Sequence, residues 1–166
     1  MAADESPDRM SITNLDTAKS VTAQFNPDEV KEVLKVLYHR LPILGLSHQP
    51  MQYQGTENLK VTFTLGFDAL SHEGSGLMDA RAFLMSLCYS SRVAEDIIGG
   101  DTPPVLLVWP ELYALECKMA SLSTTLKRFR ARGRPTLFTS DIEVERVSEV
   151  RLFSEDILTN ATLIGG

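Results

Sequence analysis

The chain has 166 residues, 43% of them hydrophobic and 23% charged, proportions that let a globular domain bury a core without metals or disulfides. Its formal charge of −6 argues against general binding to nucleic acid or anionic membrane. No apolar run approaches the ~18 residues of a membrane span, and Met1–Arg9 lacks the basic and apolar regions of a signal peptide, so a soluble cytoplasmic protein is expected.

Residues 1–10 read as a flexible polar tail. Ser11 to Leu15 is a short strand candidate, followed by turn chemistry at Asn14-Leu15-Asp16-Thr17. Val21 to Phe25 alternates apolar with polar, as a half-buried strand does, and Asn26-Pro27 ends it. Residues 29–38 are ambiguous. Val30, Val33, Leu34 and Leu37 have helical spacing behind a capping Asp28, yet the stretch also alternates; periodicity favours a helix.

Leu41 to Gly55 carries Pro42, Gly45, Pro50 and Gly55 and reads as irregular. Leu59 to Phe67 is the clearest strand, with Leu59, Val61, Phe63, Leu65 and Phe67 on one face. A polar loop spans Asp68 to Gly76. Asp79 to Ala94 reads as a helix with Ala80, Phe83, Leu84, Leu87, Cys88 and Ser91 on its apolar stripe. Asp79 suits the positive end of its dipole. Val105 to Trp109 is a buried-strand run. Leu112–Leu126 and Thr136–Val147 are two long strands joined into a hairpin around Arg132-Gly133-Arg134-Pro135.

Catalytic constellations are sparse. There is no G-x-S-x-G elbow, no Gly-rich phosphate loop and no zinc spacing among His39, His48 and His72. Gly74-Ser75-Gly76 reads as a loop before the helix. Cys88 and Cys117 are expected as reduced core thiols. No enzyme activity, cofactor or metal is expected. One feature departs from the composition. Lys127, Arg128, Arg130, Arg132 and Arg134 place five cations at the hairpin end and leave the rest of the chain at −11. Such a tip suits docking on an acidic neighbour; a solvated hairpin end and a small nucleic-acid-binding module are the alternatives.

The order of segments resembles the N-terminal domain of contractile injection system tube proteins, from phage-tail-like particles of the antifeeding-prophage and Photorhabdus virulence-cassette type. The segments are Ile12–Asp16, Ser20 to Pro27 with its V-x-A-Q-F-N-P phrase (Gln24, Phe25, Asn26, Pro27), and Leu46–Gly55. They continue through Leu59–Asp68, Met78–Arg81, Pro103–Trp109 and the hairpin with Gly133-Arg134-Pro135. The resemblance covers residues 11–148.

It implies a mainly β (α+β) fold, a tail-tube-like β-sandwich or barrel with one flanking helix, and it turns residues 29–38 from helix to strand. It further implies a structural tube-initiating or adaptor layer of the baseplate. In that role the chain forms a ring, a hexamer of itself, between the spike hub protein and the inner tube protein, touches baseplate proteins, and binds no nucleic acid or membrane. Assembly would be cytoplasmic, then within an extracellular or cell-anchored particle. Many such members carry a C-terminal LysM module; here residues 149–166 are expected as a short docking tail instead.

Overall fold

The computed structural model describes residues 8–69, 76–91, 100–147 and 154–155. Expectations for the helix beyond Ser91, for residues 1–7, for residues 148–153 and 156–166 and for most of the 68–76 loop therefore lie outside the described residues; Met10, the last residue of the expected N-terminal tail, is instead buried in the core. The protein is mainly β, with an α-helix against the sheet and antiparallel pairings throughout its described strands. Nine strands form among the described residues: β1 Ser11–Asn14, β2 Ser20–Thr22, β3 Val30–Val33, β4 Val36–Arg40, β5 Met51–Thr56, β6 Lys60–Asp68, β7 Val105–Trp109, β8 Tyr113–Phe129 and β9 Pro135–Arg146. The helix α1 spans Gly76–Ser86.

Seven strands make one sheet in the order β2-β1-β7-β8-β9-β6-β3, and β4 pairs with β5 as a separate hairpin. The period-2 strands face inward as their patterns require. Val61, Phe63, Leu65 and Phe67 of β6 and Phe138, Ile142 and Val144 of β9 are buried in one cluster with Ile12, Val105, Leu107 and Leu115. Phe67 stacks on Phe138 at 4.8 Å between ring centroids. The helix covers this cluster with Leu77, Ala80 and Leu84, and Leu87 follows just beyond its end.

Strand β8 would expose its own apolar residues if its alternation ran unbroken. Tyr113, Leu115 and Cys117 point inward at odd positions, whereas Leu122, Thr124 and Leu126 are the inward residues further on. The register shifts between Met119, opposite Val144, and Ser121, opposite Glu143. Ala120 is the extra residue of a bulge that changes the parity of the strand.

The sheet curls until its two flanks meet. Gln24, just after β2, donates from Nε2 to the Asp68 carbonyl at 3.2 Å and accepts the Asp68 N–H at 2.7 Å. These are residues from opposite sides of the strand order, so the amide closes the sheet on itself.

Several sequence expectations are corrected. The pattern-based helix at 29–38 is two strands, as the resemblance implies; β3 pairs with β6 over Val30–Val33. Non-local pairing outweighs a weak local helical period, and Val30, Val33 and Val36 are β-branched. The strand over 21–25 stops at Thr22. The irregular segment 41–55 contains the start of β5. The helix begins three residues before Asp79 and ends at Ser86, so Cys88 is exposed and not on a buried stripe, and Ser91 lies past the helix. Cys117 is buried as expected, and the two thiols are free.

Candidate functional site

Three surfaces are not absorbed by the core. The first is an arm made by β4 and β5. Its root is tied by the Glu57 N–H to the Lys35 carbonyl at 2.8 Å and by the Lys35–Glu57 ion pair at 3.7 Å. Tyr38 sits opposite Tyr53, ring edge to face at 6.3 Å. The pairing shifts between Leu37 and Tyr38, which kinks the ribbon. Neither strand pairs with the main sheet.

This arm is apolar and wet. Of the seventeen exposed large hydrophobic residues among the described residues, eleven fall between Val33 and Tyr53. Leu34 and Tyr53 are each 60% exposed, and Leu44 is fully so. A two-stranded ribbon is marginal alone in water, and a contiguous apolar surface of this kind marks a contact site. Sequence reasoning missed it, because Pro42, Gly45 and Pro50 hide the strand period. The signal was present as Leu41, Ile43, Leu44 and Leu46, four large apolar residues inside a turn-rich stretch.

The second surface is the basic tip. Lys127 and Arg128 lie within β8 itself, which runs further than periodicity predicts, while Arg130, Arg132 and Arg134 ring the turn. The turn is closed by Arg130 N–H to the Arg134 carbonyl at 2.8 Å and Gly133 N–H to the Arg130 carbonyl at 3.0 Å. Arg132 and Gly133 both adopt φ of +72°, where glycine is at ease and arginine is strained. Thr136 fixes the strand end by donating its hydroxyl to the Arg128 carbonyl at 2.6 Å. All five cations are exposed.

The third is a groove of about 420 Å³ between the chain entering β3 and the β7–β8 turn. Pro27, Asp28, Glu29, Val30 and Glu32 line one wall; Trp109, Leu112 and Tyr113 line the other. The Tyr113 hydroxyl donates to Glu32 Oε1 across it. Burial, and then the carboxylate beside it, push the Tyr113 hydroxyl far above the usual tyrosine range.

The four phrase residues divide between these surfaces and the frame. Gln24 closes the sheet. Asn26 accepts the Met10 N–H at 2.9 Å and donates to the Asp8 carbonyl at 2.8 Å, holding the chain before β1. Phe25 is 58% exposed, and Pro27 opens the groove. The phrase and the basic tip are not brought together into one pocket. His39 and His48 are exposed, and His72 lies outside the described residues. Among the described residues, no three His, Cys, Asp or Glu side chains converge as metal ligands, and no helix is long and apolar enough to cross a membrane.

A comparison with protein families matches one described as contractile injection system tube protein, over residues 7–146. A search of curated proteins finds no match.

Proposed function

The chain belongs to the contractile injection system tube protein family, and from that premise we propose that it is the tube-initiating or adaptor layer of the baseplate. Six copies form a ring around a channel, with the spike hub on one side and the inner tube on the other. The family supports a structural role within a contractile particle and assembly with its other components. The finer placement rests on the arm.

The observation that carries the reading is the unpaired, apolar β4–β5 ribbon. A monomer would leave it in water. In a ring each ribbon lies on the next subunit, which buries its apolar faces and satisfies a heterologous interface that closes on itself. Strand edges β2 and β3 of the main sheet offer further pairing to neighbours. The basic tip, at the far end of β8, then orients one layer on the next. Contacts with baseplate proteins belong to the same proposal.

The test removes the arm without touching the frame. Lys35 and Glu57 are already hydrogen-bonded backbone to backbone, so residues 36–56 can be replaced by a two-residue Asn-Gly turn. The shortened chain is expected to keep its circular dichroism and cooperative melt but to lose ring formation by electron microscopy and mass photometry. Rings of unchanged size from this variant would refute the arm's role. Particles imaged with the full chain should show its density between spike and tube; density elsewhere would refute the adaptor placement.

A further inference from the structure

We infer that the groove lined by Asp28, Glu29, Glu32, Trp109 and Tyr113 is the receptor for the arginine tip of a second copy of this chain. The inference rests on the assembly reading of the tip and adds the surface that receives it.

The groove has the chemistry that a guanidinium requires. Arginine presents five N–H donors in a plane, which carboxylates accept in pairs, and its face stacks on aromatic rings. Asp28, Glu29 and Glu32 supply acceptors from one short segment. Trp109 and Tyr113 supply aromatic surface from the facing turn, and indole is the best ring for a cation. The Tyr113 hydroxyl engages one oxygen of Glu32, a residue that stays exposed. Lysine, a compact and strongly hydrated charge, would gain less from such walls. The tip carries four arginines and one lysine.

Neither set of charges is ion-paired among the described residues. Among the described residues the ion pairs are Lys35–Glu57 and Lys118–Asp101, and they include none of the groove carboxylates and none of the five tip cations. A self-contact is excluded by topology. The groove sits on the turn before Tyr113, at the start of β8, and the tip sits after Phe129, at its end. Seventeen residues of strand separate them, about 50 Å of chain at ~3.3 Å per residue. With a self-contact excluded, the matching charge of groove and tip commits the groove to the tip of a second copy, and the contact is head-to-tail: every copy offers a tip and receives one.

The tip is also built in advance of binding. Two backbone hydrogen bonds close the turn and Thr136 ties its base to Arg128. A turn held in this way loses little conformational entropy on docking, so its charges count for more. Phe129, 61% exposed beside the arginines, is placed to meet the apolar lip that Leu112 provides.

Charge exchange in the full-length chain tests this directly. Arg130→Glu with Arg132→Glu reverses the tip; Asp28→Arg with Glu29→Arg reverses the groove. Each pair is expected to lower the self-association constant by about tenfold or more in sedimentation equilibrium, and the four changes together to recover it to within about threefold. Each variant is first matched to the parent by its melting curve, since all four positions are exposed. As an independent readout, Glu29→Cys with Arg132→Cys in a Cys88→Ser background should give disulfide-linked multimers on mild oxidation. Two results would overturn the inference: a groove reversal that associates like the parent, or a fourfold variant no better than its halves. If either occurs while arm removal still abolishes rings, the proposed function stands and only the groove assignment falls.

Discussion

Gln24 shows how much one side chain decides in this protein. It is 8% exposed and uses both ends of its amide on the backbone of Asp68. A carboxylate or an apolar residue of the same length could make at most one of those bonds. The two cysteines illustrate the opposite dependence, on place alone. Cys117 lies in the core between β7 and β9, and burial pushes its thiol up to about 12 from 9.0. A folded-state value above the unfolded one stabilises the protein below pH 9 and withdraws that support as pH rises toward 12. Stability should then fall by about 1.4 kcal/mol per pH unit across that window through this group. Tyr113, raised in the same direction, adds to the loss above pH 10. Urea midpoints measured from pH 8 to pH 11 check this. Cys117→Ala should be weaker at pH 8 by about 2 kcal/mol, from the lost methylene-sized volume, but should decline less steeply. An unchanged slope would contradict the assignment.

At the scale of elements, the bulge at Ala120 lets one long strand serve two parts of the core. Before it Tyr113, Leu115 and Cys117 face inward; after it Leu122, Thr124 and Leu126 do. The second half matters to the packing because Thr124 meets the fully buried Ser140 at 3.2 Å, hydroxyl to hydroxyl. Removing Ala120 would join Met119, opposite Val144, directly to Ser121, opposite Glu143, so the ladder runs unbroken and both halves still face the core. What is lost is the local bend and extra twist that a bulge gives its strand. Deletion of Ala120 should therefore cost less than about 1 kcal/mol and re-aim the distal end of the hairpin, with amide exchange from Leu122 onward as slow as in the parent. Faster exchange there would show that the bulge itself holds the distal ladder.

For the whole molecule, the uneven spread of charge and apolar surface is the governing property. The tip carries five cations on a chain whose net charge is −6, and the arm concentrates the exposed apolar side chains. These two surfaces respond differently to solvent. Salt screens the exposed charges beyond ~10 Å at 0.1 M, whereas it leaves apolar burial intact. Raising salt from 0.05 M to 0.5 M should weaken contacts made by the tip while rings held by the arm persist. Reversing Arg128, Arg130 and Arg132 should copy the high-salt state: rings that form but fail to stack, by electron microscopy. Normal stacks from that variant would remove the tip from assembly, and steep salt-dependent binding of DNA by the parent would favour a nucleic-acid role instead.

The sequence by itself determined those parts of the protein whose burial partner is local or whose period is clean. The faces of β6 and β9, the β7 run, the existence of the helix and the cationic hairpin were legible because alternate residues of a strand must share a face, and because five cations in a short stretch need no fold to be seen. The family resemblance, carried by the order of its segments, made residues 29–38 extended. Tertiary structure alone decided the rest. Residues 29–38 split into a strand of the sheet and a strand of the arm because β6 and β5 supply pairing partners that lie outside the segment. Cys88 left the apolar stripe because the helix stops at Ser86. The groove joins residues 27–32 to residues 109–113, and no pattern within either segment announces the other. Spacing along a chain reports only what recurs locally, whereas a docking surface is made where distant segments meet and remain uncovered.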